Sequence, residues 1–223
     1  MPRRARVVIP GVPHHVTQRG SRRQDVFFND EDREVYYDLY RKYSAQHGLD
    51  PLSHCLMTNH VHHLVVPHEL ESLSRAFQQT HKRYADYINA RHGWSGHLWQ
   101  QRFYSSPVDE KFLWIAIRYI ERNPVAACMV KHAADYRWSS APSRCNGIAD
   151  PVLTKNPRWL ELMHGMRNWY EWLSQSDDPL QVKKLREQTR RDLPTGSEHF
   201  LDSLEERYSV RVRLGKRGKR KKE

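Results

Sequence analysis

Residues His60-Val61-His62-His63-Leu64-Val65-Val66-Pro67 constrain this chain more than any other stretch. Leu64-Val65-Val66 reads as a buried strand, and Pro67 ends it. Side chains two apart on a strand share a face. His60 and His62 therefore project together, while Val61 and His63 project the other way. Two imidazoles on one strand face can hold a divalent ion. The chain has 14 histidines, so the pair also reads as two ordinary polar residues at a strand end. Leu52 to Met57 reads as the preceding strand, joined to this one by a turn near Thr58-Asn59.

A second stretch bears on the same question. Asp109 to Arg122 reads as a helix, and Asn123-Pro124 is expected to end it, because a residue before proline is pushed out of the α region. Leu113, Ile117 and Ile120 fall on one stripe and suit a core. Phe112, Ala116, Tyr119 and Asn123 fall on an adjacent stripe. A phenol and a carboxamide four residues on thus face one site. The plainer reading makes Tyr119 a boundary tyrosine and Asn123 a C-terminal cap.

The rest of the chain supplies partners for these two elements. Val7-Val8-Ile9 and His14 to Arg19 read as extended runs. Asn29 or Asp30 caps a helix carrying Val35, Leu39 and Tyr43. Leu70, Leu73, Phe77, Tyr84 and Ile88 mark another helix, ended by Gly93. Phe103 to Val108 is a further strand. The order strand, helix, hairpin, helix, strand, helix predicts an α+β fold. Its outline is a ferredoxin-like antiparallel sheet with helices on one face. Composition changes near Asn146-Gly147. Residues 146–210 read as a helical extension, with stretches over 157–173, from Asp177-Asp178-Pro179 toward Leu193, and after Gly196-Ser197. Residues 211–223 read as a basic tail, and residues 1–145 as the main domain.

Charge narrows the partners. The net charge is +11 with a pI near 9.7, and residues 211–223 hold eight Lys or Arg against one Glu. Such an excess points to a polyanion. Arg19, Arg22 and Arg23 cluster after the second extended run, as phosphate contacts or as a solvated loop. Trp99, Gln100 and Arg102 lie in a loop from Gly93 to Arg102 and suit stacking on unpaired bases, or else pin that loop to the domain. Three scattered cysteines without a Cys-x-x-Cys pair argue against a structural zinc site or a disulfide framework. No apolar run approaches the ~18 residues of a membrane span, and no signal peptide is evident. A soluble cytoplasmic protein is expected.

Met57-Thr58-Asn59-His60-Val61-His62, followed by Arg118-Tyr119-Ile120-Glu121-Arg122-Asn123-Pro124-Val125, resembles the single-tyrosine HUH transposases, and within them the REP-associated tyrosine transposases (RAYTs). Pro13-His14-His15-Val16-Thr17-Gln18-Arg19-Gly20, Leu98-Trp99-Gln100-Gln101-Arg102-Phe103 and Trp138-Ser139-Ser140 agree. The similarity spans roughly residues 5–145. His63 stands where that family has an apolar residue, and Thr58 where a proline is common.

The resemblance implies a metal-dependent endonuclease and transposase acting on single-stranded DNA at REP-like hairpins. Tyr119 would attack, leaving a 5′-phosphotyrosine and a free 3′-hydroxyl. His60 and His62 would hold Mg²⁺ or Mn²⁺, with Asn123 as third ligand. The protein would act as a monomer or a homodimer. Two rivals are a cleavage-silent regulator that binds DNA hairpins and a hydrolytic phosphodiesterase in which Tyr119 is structural.

Overall fold

Four strands form one antiparallel sheet: β1 (His14–Arg19), β2 (Leu49–Met57), β3 (His60–Pro67) and β4 (Tyr104–Pro107), in spatial order β2-β3-β1-β4. The computed structural model describes residues 6–208 and 212–213. Of the predicted basic tail only Val212 and Arg213 fall among them; the rest of 211–223 lies outside the described residues.

Two helices cross over between strands. Helix α1 (Asp30–Gln46) links β1 to β2, and α2 (Ser72–His92) links β3 to β4. The two pack against each other over one face, completing the expected ferredoxin-like arrangement. Helix α1 starts with a capping box: the Asn29 side chain accepts from the Asp32 amide, and Asp32 accepts from the Asn29 amide. Helix α2 ends at Gly93, whose φ of 64° is the left-handed conformation that glycine adopts without penalty. Val61, Leu64, Val65, Tyr36, Phe77 and Tyr84 are buried in the shared core. Fully burying a side chain such as Val61 or Val65 contributes roughly 1.5–3 kcal/mol. A one-residue slip of β3 would put a histidine in place of Val61 and turn Val65 to the opposite face, so this register is strongly specified.

Helix α3 (Glu110–Ala126) covers the opposite face, against β2 and β3. The side chain of Asp109 caps it by accepting from the Phe112 amide at 2.9 Å. The expected stop at Asn123-Pro124 is corrected: α3 continues through Pro124 to Ala126. Pro124 sits in the last turn, where one missing donor is tolerated. The carbonyls around it still find partners, with Ala127 N bonding Asn123 O and Met129 N bonding Pro124 O. The strand expected at Val7-Val8-Ile9 is also corrected. These residues form no ladder. Pro10 and Gly11 turn the chain there, and Val7 and Ile9 pack instead with Leu201 and Leu204.

Helix α4 (Ala141–Asn146) ends the first segment, and the extension folds as helices α5 (Pro157–His164), α6 (Trp169–Ser174), α7 (Pro179–Arg190) and α8 (Glu198–Tyr208). Trp159, Trp169, Leu173 and Leu185 join the main core. Fully buried Glu121 on α3 anchors this layer. It accepts from the Trp169 indole at 2.7 Å and from the Ser140 hydroxyl at 2.6 Å. Helix α7 lies against α3, β1 and β4, which brings residues 186–190 over the sheet.

Candidate active site

Strand register decides what meets α3. His62 pairs with Thr17 on one side and Cys55 on the other, and His60 pairs with Arg19 and Met57. Thr17 in turn pairs with Tyr104. Directly opposed residues share a face. His60, His62, His15, Thr17, Arg19 and Tyr104 therefore all look toward α3 and α7. His63 looks the other way. It is buried between α1 and α2, with its Nε2 3.0 Å from the Tyr36 hydroxyl.

Tyr119 enters from α3. Its ring meets the His62 imidazole edge-on, with centroids 5.3 Å apart, and meets His15 in the same manner at 5.7 Å. His60 and His62 are also edge-to-face, at 5.0 Å. Each of the two histidines has its Nδ1 engaged. His60 Nδ1 lies 2.7 Å from Asn59 Oδ1, while the Asn59 amide nitrogen donates to Arg23 O at 3.0 Å. That second bond orients the amide so that its oxygen accepts from His60 Nδ1–H, leaving His60 Nε2 with its lone pair. His62 Nδ1 lies 2.9 Å from His15 Nε2, and the two rings are parallel to within 5°. His62 Nε2 is buried with no hydrogen-bond partner among the described residues.

Burial holds all three imidazoles neutral. It lowers His15 and His60 to about 3, with Arg19 and Arg186 pushing His60 the same way. His62 lies well below the usual histidine range through burial, then through neighbouring His60, His15, His63 and Arg19. Burial also raises the Tyr119 phenol, while Arg186, a hydrogen bond from Asn123, Arg19 and Arg190 pull it back.

A cavity of about 280 Å³ opens over Tyr119 and His62. Arg19, Arg23, Arg186 and Arg190 line it together with Gln100 and Tyr104. Burial lowers the Arg19 pKa, and the charges of Arg23, Arg190 and Arg186 lower it further. Among the described residues, none of these four guanidinium groups is ion-paired to a carboxylate. Crowded, uncompensated cations around a phenol make an anion site, with several donors able to reach one phosphate.

The sequence-predicted residues divide. The structure brings His62, Tyr119, Arg19, Arg23 and Gln100 to one cavity, with His60 beside His62. Asn123 lies next to Tyr119, its side-chain nitrogen donating to Tyr119 O at 2.8 Å. Arg22 is exposed, has a φ of 53°, and is not part of the lining. Arg102 borders a separate cavity with Phe77, His81 and Phe103. Trp99 is 8% exposed and its indole donates to His81 O at 3.0 Å, a placement that suits the reading in which it pins the loop to the domain. Sequence reasoning missed His15, Asn59, Arg186, Thr189 and Arg190. His15 shares the two-residue alternation of β1 with Thr17 and Arg19, a signal that was present. Nothing local marks residues 186–190.

A divalent ion fits these residues. Both strand histidines offer an Nε2 lone pair, and the buried, unpartnered Nε2 of His62 calls for one. Among the described residues no group of three or more His, Cys, Asp or Glu is placed to hold one ion, so further ligands would be amide, water or phosphate oxygens.

Comparison with known proteins gives the family. Residues 10–123 match the model of the IS200-like transposases. The fold is similar to that of a REP-associated tyrosine transposase solved bound to a REP hairpin, with a TM-score of 0.56, 18% identity, and coverage of 70% of this chain and 93% of that one. A candidate transposase from Deinococcus radiodurans R1 aligns at 21% identity, a TM-score of 0.38, and coverage of 54% of this chain and 97% of that one. No curated protein matches significantly. No helix among the described residues is long and apolar enough to cross a membrane. The matched segment holds both strand histidines, the Tyr119 helix and the sheet that joins them, and the chain belongs to the IS200-like transposase family.

Proposed function

We propose that this protein is a RAYT-type transposase that nicks and rejoins single-stranded DNA beside REP-like hairpins through a 5′-phosphotyrosine. The observation that carries the reading is the meeting of Tyr119 with His62 in a cavity lined by four arginines that have no carboxylate partner among the described residues. A structural tyrosine has no need of such surroundings. The hairpin held by the structurally similar transposase supports the choice of substrate.

In this reading Arg19, Arg23, Arg186 and Arg190 seat the scissile phosphate against the Tyr119 hydroxyl. The phenol oxygen bonds to phosphorus, the bond from phosphorus to the 3′-oxygen breaks, and the 3′-oxygen leaves as a hydroxyl. The proton it gains balances the one the phenol loses. Burial disfavours the phenolate, and the arginines and Asn123 offset that cost where charge develops. His60 and His62 would hold Mg²⁺ or Mn²⁺, with Asn123 the candidate third ligand. Such an ion polarises a phosphate oxygen when bound. Transesterification conserves the bond energy, so rejoining needs no ATP. Residues 1–145 would carry the nicking domain, 146–210 a helical extension that reaches the site through α7, and 211–223 a basic tail giving nonspecific phosphate contact. The protein would work in the cytoplasm, as a monomer or a homodimer.

The test is a covalent complex. Full-length protein, a REP-like hairpin with a single-stranded flank and Mn²⁺ should give a protein–DNA adduct stable on a denaturing gel. Cleavage without an adduct would favour the hydrolytic phosphodiesterase. Tight hairpin binding without cleavage of any hairpin from its own genome would favour the regulator.

A further inference from the structure

His62 is held by a chain of side chains that starts outside the segment shared with the family. Thr189 on α7 donates its hydroxyl proton to Leu185 O at 2.8 Å. Its oxygen lies 2.9 Å from His15 Nδ1. A hydroxyl has one proton, and Leu185 O takes it, so the Thr189 oxygen accepts from His15 Nδ1–H. A neutral His15 then has a bare Nε2, which sits 2.9 Å from His62 Nδ1. That contact is a hydrogen bond only if His62 carries its proton on Nδ1. His62 Nε2 is thereby left unprotonated, and it is this atom that is buried without a partner.

We infer that Thr189 and His15 are positioning residues that lock His62 in the Nδ1–H tautomer and present its Nε2 lone pair to a divalent cation. The inference rests on the nuclease reading for the purpose of that lone pair, though the tautomer itself is independent of it. The relay is shielded from bulk water: Thr189 and His15 are 1% exposed and His62 is 4% exposed. Rotating the Thr189 hydroxyl toward His15 would reverse the relay, place a proton on His62 Nε2 and block the ligand position. The main-chain carbonyl of Leu185 prevents this by capturing the proton. Thr189 also lies well beyond residues 10–123, the stretch that matches the family. The ligand geometry thus depends on the docking of the extension, and α7 is part of the site rather than an appendage.

Two measurements on the metal-free, full-length protein test this. Imidazole ¹⁵N shifts should show His62 protonated at Nδ1 and bare at Nε2. Titration with Mn²⁺ alone should show about tenfold or greater loss of affinity in Thr189→Val and His15→Leu, the scale typical of lost second partners of metal-binding histidines. Thr189→Ser, which keeps the hydroxyl, should restore most of it; a purely packing role would not distinguish Ser from Val in this way. Thr189→Val preserves side-chain shape and covers the case in which His15→Leu does not fold. A wild-type His62 protonated at Nε2 overturns the relay. So does unchanged Mn²⁺ affinity in Thr189→Val while His62→Ala loses it. If wild type shows no His62-dependent Mn²⁺ binding, the nuclease reading fails, and the ¹⁵N shifts still decide the tautomer.

Discussion

The Tyr119 ring sits edge-on to the His62 imidazole at 5.3 Å between centroids, one side chain from α3 and one from the central strand β3. Tyr119→Phe removes one oxygen and leaves this contact in place. It should abolish the covalent adduct while hairpin affinity stays within about twofold, because in the proposed mechanism the phosphate contacts would come from other residues. Gel assay of the adduct beside a binding titration checks both halves.

His60→Ala and His62→Ala each remove a nitrogen from the candidate cation site. Each should lower adduct formation at least about 100-fold, the scale expected when charge stabilisation in a transition state is lost. DNA binding should change far less. Single-turnover cleavage in Mn²⁺ against binding in the same buffer separates the two effects.

Arg186 and Arg190 line the cavity from α7, outside the segment matched to the family. Replacing either by Ala should weaken binding of hairpins of every sequence alike. It should also flatten the slope of log affinity against log salt by about one. Binding isotherms between low and physiological salt measure this. A change confined to one hairpin sequence would instead mark base readout.

Acid should unfold this protein early. Burial lowers His14 to about 4 and His81 to about 3, so both stay neutral in the native state. The unfolded chain binds their protons below about pH 6.5, where the native chain does not, so stability falls as pH falls through that value. Between pH 7 and pH 5 each should cost about 2 kcal/mol. Urea denaturation at the two pH values checks this, and His81→Gln should flatten the pH dependence.

Glu121 is fully buried, and hydrogen bonds from Trp169 and Ser140 meet its carboxylate, with Arg144 at 3.7 Å. Glu121→Ala leaves those donors without their acceptor and the Arg144 guanidinium without its counter-charge. It should destabilise the fold by roughly 3–5 kcal/mol. Denaturant midpoints report the loss. If the midpoint moves by less than about 1 kcal/mol equivalent, the anchor is not there.

The sequence by itself determined the parts that are periodic. Two-residue alternation placed His60 and His62 on one face of β3 and His63 on the other, and helical spacing put Tyr119 on the stripe next to Leu113, Ile117 and Ile120. Turn and cap residues delimited both crossover helices, which was enough for a ferredoxin-like outline. Tertiary structure alone decided what surrounds those residues. His15 and Thr189 are 174 positions apart. Arg186 and Arg190 sit on α7, in a sequence that reads as an ordinary solvated helix. The sequence offers Trp99 as a stacking ring or as a pin for its loop, and only the fold packs it against His81 and Tyr84. Periodicity reports which face a side chain takes on its own element. Which distant element comes to cover that face depends on long-range packing, and here a helix from the extension covers it and completes the site.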